Sequence, residues 1–201
     1  MGTKKYRLTG NHINIGSRIL YQIEALKDFG DVKAGDLGGY IESEENLSQY
    51  DIAWVYGDAQ VLGNAQVFDN ARVYGNACVF DNARVYGNAC VFDKAEVYGN
   101  ALVYDNAQVL GNARVFGDAQ IKSARDYIVF KNWWSSGRYF TWTRSNNMWK
   151  VGCFYGTGEE LIKKAYNDSK ESGREYERIV RYVESILADE KRKENEPIGI
   201  K

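Results

Sequence analysis

Between Ala53 and Ala124 the hydrophobic pattern repeats every six residues, as AWVYGD, AQVLGN, AQVFDN, ARVYGN, ACVFDN, ARVYGN, ACVFDK, AEVYGN, ALVYDN, AQVLGN, ARVFGD and a worn AQIKSA. Ala stands first in all twelve copies, and Val third until Ile121 closes the run. Within a copy, Ala and Val alternate with a variable residue and a following Tyr, Phe or Leu. That is the period of a strand with one buried face, and six does not hold one face of a 3.6-residue helix. Ala and Val are therefore expected inside. The variable slot (Trp54, Gln60, Gln66, Arg72, Cys78, Arg84 and onward) and the aromatic are expected outside. Gly or Asp followed by Asn or Asp then makes a corner, because these residues tolerate left-handed backbone. A short strand and corner cannot bury a face alone, so successive turns must stack.

The flanks read differently. Residues 3–9 and 18–26 predict two strands around a turn at Gly10-Asn11, and residues 29–40, with four glycines and two aspartates, read as loop. Residues 1–52 are taken as a cap on the open end, since an uncapped β-helix exposes a strand edge. After Ala124, residues 127–134, 138–144 and 148–154 predict a three-stranded meander with short polar turns. Thr157 with Glu160 is a capping-box pattern opening a helix over 158–170. A second helix follows over 173–190, with Tyr176, Ile179, Val180, Val183, Ile186 and Leu187 on one stripe. Residues 125–190 thus form a small α+β module, and 191–201 a charged tail expected to be disordered.

The phrase resembles the hexapeptide repeat of single-stranded left-handed β-helices. That resemblance implies three hexapeptides per triangular, left-handed coil, and commonly a homotrimer. One departure stands out: that family usually has a small or acidic residue after the aliphatic, where this chain has Tyr, Phe or Leu. The opening KYRL, the stretch LYQIEALKDFGDVKAGDLGGYIESEENLS, the YGNA-type repeats and GCFYGTGEEL are similar to bacterial and prophage-encoded hexapeptide proteins. The expected fold is mainly β, a left-handed parallel β-helix of about four coils, roughly 19 Å tall at the usual strand spacing, with an N-terminal β cap and a C-terminal α+β module.

Eighteen residues per coil predicts three outer ladders. The first carries Tyr56, Tyr74, Phe92 and Leu110; the second Leu62, Phe80, Tyr98 and Phe116; the third Phe68, Tyr86 and Tyr104. This is more apolar surface than a free prism carries. Flanking segments or neighbouring subunits are expected to cover it, and the alternative is a ligand surface.

Charge adds little to this picture. The chain has 26 basic and 27 acidic residues for a net −1, so no global field favours duplex DNA or an anionic membrane. By segment the charge is −2 for residues 1–52, −2 for 53–124 and +3 for 125–201. Lys4, Lys5 and Arg7 precede no apolar core, so no secretory signal is expected, and no apolar run has the length of a membrane span. The three cysteines stand at no metal spacing, and Cys78 and Cys90 fall on different faces, so reduced thiols in a cytoplasm are expected.

Many left-handed β-helix proteins are acyltransferases, which the resemblance implies would use a coil histidine as general base. Here the one histidine, His12, lies off the coils, and no repeat is interrupted by a loop. The coil acids Asp69, Asp81, Asp93 and Asp105 occupy the corner slot and read as turn residues. No catalytic residue, metal site or cofactor is assigned. The candidate binding surface is the C-terminal sheet, where residues 127–155 hold four basic residues, ten aromatics and no acid. Guanidinium beside exposed rings holds planar anionic ligands, which nominates Lys131, Trp133, Trp134, Arg138, Phe140, Trp142, Arg144 and Lys150. Alternatively, one face packs on the helices and the tryptophans dock on the prism. The expected function is a non-enzymatic binding or scaffold protein of phage or prophage type in a bacterial cytoplasm, a homo-oligomer that sequesters a host protein or a nucleotide-like signal. An acyltransferase acting on an acyl-CoA and a purely structural phage component are the alternatives.

Overall fold

A computed structural model describes residues 4–195. An antiparallel hairpin, β1 (Tyr6–Ile15) and β2 (Arg18–Ala25), opens the chain, and β3 (Leu37–Ile41) follows. Each of the twelve hexapeptides then supplies a two-residue strand, stacked in parallel register at an offset of eighteen, as Cys90 on Arg72 and Gln108 on Cys90. The stack makes three faces. The first runs Trp54, Arg72, Cys90, Gln108; the second Gln60, Cys78, Glu96, Arg114; the third Gln66, Arg84, Leu102, Gln120. Every repeat Ala and Val, with Ile121, is at most 1% exposed, which is the alternation read from the sequence.

The stack begins before the repeat does. Tyr40 and Ile41 of β3 pair in parallel with Gln60 and Val61, and Leu47 bridges Val67. The hexapeptides make four coils, and residues from Leu37 add a leading turn, for a parallel β-helix of about five turns. Because β2 pairs with β3, the hairpin joins the second face as one seven-stranded sheet. Gly38 and Gly39, read as loop, lie in this strand. A Cβ on Gly38 would stand 2.6 Å from the Val55 carbonyl oxygen, and one on Gly39 would stand 2.5 Å from that of Ala59. These glycines serve close packing rather than a bend. The Gly10-Asn11 turn is likewise corrected: β1 runs through it with a register shift between Leu8 and His12, and the chain reverses between Ile15 and Arg18.

The open N-terminal end is closed by side chains. Tyr6 and Phe29 set ring edges against Trp54 at 6.0 and 5.3 Å, so Trp54, expected to face out, is 1% exposed. Asn46 Nδ2 donates to the carbonyls of Gly63 and Ala65, both at 2.9 Å, and the Tyr6 hydroxyl donates to that of Leu47 at 2.7 Å. Lys5 is fully buried, its Nζ donating to the Ala53 carbonyl at 2.8 Å with Asp51 Oδ1 at 3.4 Å. Burial outweighs the Asp51 attraction and lowers the amine pKa from 10.5 to about 8. Between those values the unfolded chain binds more protons than the native one, so stability rises with pH. Below pH 8 lysine is charged in both states and the cost of burial is constant. Urea denaturation is therefore expected to show the wild type gaining about 2 kcal/mol on Lys5→Met between pH 7 and 9.5. Thiol and tyrosine titrations are common to both chains and cancel; a pH-independent difference would contradict the burial of the charge.

At the other end a four-stranded antiparallel sheet, β4 (Tyr127–Lys131), β5 (Tyr139–Thr143), β6 (Met148–Val151) and β7 (Phe154–Gly156), packs beneath α1 (Gly158–Asp168) and α2 (Lys170–Asn195). The meander thus has one strand more than expected. Thr157 and Glu160 form the expected capping box. The helix α2 extends to Asn195, so residues 191–195 of the anticipated disordered tail are helical; residues 196–201 lie outside the described residues. The module also caps the solenoid. Edge N–H groups of the last coil find one hydroxyl on each face: Leu110 donates to Tyr127 Oη at 3.3 Å, Arg114 to Thr141 Oγ1 at 2.8 Å and Gln120 to Ser145 Oγ at 2.7 Å.

Candidate functional site

The outer surface of the prism is built by repetition. Asp69, Asp81, Asp93 and Asp105 take φ between 56° and 62°, the left-handed corner geometry. Three of their carboxylates accept the N–H of a glycine one coil on: Asp69 from Gly87 at 3.2 Å, Asp81 from Gly99 at 3.2 Å and Asp93 from Gly111 at 3.0 Å. Asn64, Asn82, Asn100 and Asp118 bond side chain to side chain down one edge at 3.0–3.2 Å, and Asn70, Asn88 and Asn106 down another at 3.0 and 3.1 Å. These acids act as corner residues, as their slot predicts.

The aromatic ladders form with coil-to-coil stacking. Tyr74 lies on Phe92 at 4.9 Å and 2°, Phe80 on Tyr98 at 4.5 Å and 12°, Phe68 on Tyr86 at 5.0 Å and 2°, and Tyr86 on Tyr104 at 5.2 Å and 7°. Tyr56 meets Tyr74 edge-on at 6.4 Å, and Tyr98 and Phe116 are tilted at 4.6 Å. All nine rings are buried or half-buried. The cover expected from flanking segments or subunits is supplied in good part by the rings themselves, whose centroid spacing fits the strand repeat. Cations lie along the third ladder: Arg84 sits 5.0 Å from the Phe68 centroid and 5.7 Å from Tyr86, and Lys122 is 5.4 Å from Tyr104.

The nominated surface on the C-terminal sheet does not assemble as one face. Phe140, Trp142 and Trp149 are at most 1% exposed and form a core with Leu161, Ala165 and Val180. Trp134 is half-buried against Tyr176, with ring centroids at 4.9 Å and its indole N–H unpartnered. Arg144 lies over Trp142 at 5.8 Å and pairs with Glu190 at 2.7 Å. Lys150 turns to the prism, 4.9 Å from the Phe116 centroid, and Tyr155 meets Phe116 edge-on at 4.7 Å, closing the second ladder from below. Lys131, Trp133 and Arg138 are exposed, Trp133 at 74%. The face carrying Phe140 and Trp142 meets the helices, as the alternative reading of the sheet has it. On the other face Thr141 meets the solenoid edge. The sheet is covered on both sides because it is also the cap, and nothing in its own pattern announces that.

Arg138 reaches a cleft of about 310 Å³ between the sheet and the helices, lined also by Asn132, Ser135, Cys153, Lys164 and Tyr176. The buried Asn132 donates to the Tyr176 hydroxyl at 3.1 Å and accepts from Ser135. His12 is exposed on β1, opposite Tyr21, and lies on a strand rather than in a turn.

All three cysteines are free. Burial, with Glu96 adding to it, pushes the Cys78 thiol up to about 11, and burial raises Cys90 less far; Cys153 is exposed. Since the thiolate is the nucleophile, a thiol-disulfide reagent at pH 7.5 is expected to label the exposed Cys153 first and Cys78 last, with Cys78 slowed about tenfold or more by its raised pKa and burial. Mass mapping of the labelled peptides reads the order, and early labelling of Cys78 would contradict its burial.

A family model described as the YdcK beta solenoid repeat matches residues 65–79 and 95–111. No curated protein matches the chain at a significant level. The match falls on the repeats that stack as a solenoid in the structure. Among the described residues, no helix is long and apolar enough to cross a membrane.

Proposed function

We propose that the chain is a non-enzymatic binding protein of phage or prophage type, in which the β-solenoid is a rigid core that sequesters a host protein or a nucleotide-like signal in a bacterial cytoplasm. The observation that carries this reading is the third ladder, where Phe68, Tyr86 and Tyr104 are aligned with Arg84 and Lys122 against their rings. Rings and guanidinium so arranged suit planar, anionic or peptide partners. The closed ends support it further. Strand addition at either edge meets bonded carbonyls or N–H groups, so partners and other copies are left the side faces. A homotrimer joined through those faces belongs to the same proposal. The resemblance to prophage hexapeptide proteins supplies the cellular setting.

Native mass spectrometry of protein purified gently from a bacterial host tests this. A reproducible small adduct, or a co-purifying host protein in fixed stoichiometry, is the expected result. A bare chain of any oligomeric state, repeatedly obtained from cells in which the protein is active, would overturn it.

A further inference from the structure

The third ladder starts one ring late. Along this face the residue after each strand donates its N–H to the next coil, as Phe68 to Val85 and Tyr86 to Val103. Ser48 donates to Val67 in the same way, so Ser48 holds the rung above Phe68, where a ring would complete the stack. By Ile52, which donates to Asp69 as Asn70 does to Gly87, the usual offset is restored. Gln49 and Tyr50 are therefore a two-residue insertion in the leading turn. Gln49 turns inward, its Oε1 accepting from the Lys5 N–H at 2.8 Å. Tyr50 turns outward and is 98% exposed.

The result is an open space of about 380 Å³ over Phe68, walled by Leu47, Ser48, Tyr50, Gln66 and Arg84, with Glu45 at its rim. The other ladders are closed above. The Tyr56 hydroxyl donates to Asp31 at 2.8 Å, and Leu62 is 8% exposed beneath Glu42, which accepts from Gly63 and pairs with Arg18. A residue as apolar as tyrosine standing free beside an unfilled stacking position is what a two-sided clamp looks like before it holds anything.

We infer that this vacant rung is a slot for one nucleobase-like heteroaromatic ring, sandwiched between Phe68 and Tyr50. The ladder fixes the shape of the occupant, since neighbouring rings lie at 5.0 and 5.2 Å and within 7° of parallel, so the guest must be flat and one ring system thick. The walls fix its polarity. The Ser48 hydroxyl, the Gln66 amide and the Glu45 carboxylate offer donors and acceptors to the edge of a base, and Arg84 is in no ion pair among the described residues. The volume lies within the range of small-ligand clefts, about 300–1,000 Å³. Base–aromatic stacking accepts any base because every base has a π-face, and here both faces of the guest ring would be covered. The inference rests on the small-ligand branch of the proposed function and gives it a site.

The probes are the four ribonucleoside 5′-monophosphates, titrated into the full chain and followed by NMR. At least one is expected to bind saturably with a Kd below about 1 mM, its base protons moving upfield as they enter the ring currents. Ser48→Phe supplies the missing ring from the chain itself and is expected to abolish binding while leaving thermal stability unchanged or higher. Tyr50→Ala removes a fully exposed side chain, cannot harm the core, and is expected to weaken binding about tenfold. Absence of any base-proton shift with all four nucleotides would overturn the inference, as would undiminished binding by Ser48→Phe and Tyr50→Ala. In the second case a small ligand bound elsewhere would leave sequestration standing; a bare chain in native mass spectrometry bears on sequestration alone.

Discussion

Gly39→Ala is expected to destabilise the protein by about 3 kcal/mol, at the upper end of overpacking costs, lowering Tm by about 10 °C. The added Cβ would stand 2.5 Å from the Ala59 carbonyl oxygen and 2.7 Å from Val55 Cγ1. The first of these cannot swing aside: that oxygen already accepts the Tyr40 N–H at 2.9 Å, the bond seating β3 on the prism. Relief therefore requires β3 to lift, and with it the β1–β2 hairpin, which reaches the solenoid through β3. Gly10→Ala is the control, because nothing lies within 4 Å of a Cβ there. Thermal denaturation followed by circular dichroism decides the matter. Equal melting of the two variants would mean that β3 is not packed on the first coil.

Trp142→Ala is expected to cost about 3–5 kcal/mol, the usual loss for a buried large aromatic, and to act on one part of the chain. The buried residues form two separate clusters, one filling the prism and one between the C-terminal sheet and its helices, and Trp142 belongs to the second. Its indole Nε1 also donates to Asn147 Oδ1 at 2.9 Å in the β5–β6 turn. Emptying this site is expected to unfold the module first, giving two transitions where the wild type has fewer. Hydrogen exchange supplies the sharper signature. The amides of Leu110, Arg114 and Gln120 are bonded to hydroxyls of the module, so they should lose protection while Ala and Val amides two coils earlier keep it. Retained protection at those three positions would show that the module does not cap the solenoid.

The same variant shows where sequence reading stopped. The prism was legible because its signal is repeated twelve times: Ala and Val inward, rings outward, Gly or Asp at φ > 0. Each copy corroborates the others. The single-copy features were not. Gly38 and Gly39 looked like a loop because glycine clusters signal turns, and only the closeness of Val55 and Ala59 reveals them as a strand pressed on a neighbour. Phe140 and Trp142 share a strand face with Arg138 and Arg144, but alternation is silent on whether that face meets solvent or helices. The Ser48 rung was hidden by the two-residue insertion, which takes the leading turn out of step with the phrase. Counting in sixes from Ala53 backwards puts Leu47 in the Ala slot and Tyr50, not Ser48, ahead of the corner. Hydrogen bonds to Val67 and Asp69, rather than spacing, restore the register.

Both ends of the solenoid are closed by parts that recognise a face and not a particular coil. Tyr127, Thr141 and Ser145 meet one edge N–H on each of three faces, and every edge N–H of a given face is equivalent one coil earlier. Length is therefore quantised. Removing eighteen consecutive residues between Ala59 and Ala119 rejoins like with like and keeps the two caps at their present angle, whereas removing six would leave each cap seated on its own coil but turn one cap by one face against the other. A lineage carrying this fold can lengthen or shorten its rod by whole coils through unequal recombination of its own repeats. The near-copies ARVYGN-ACVFDN and ARVYGN-ACVFDK stand twelve residues apart, two faces rather than a whole coil, so an exchange between those two would also turn one cap against the other by two faces.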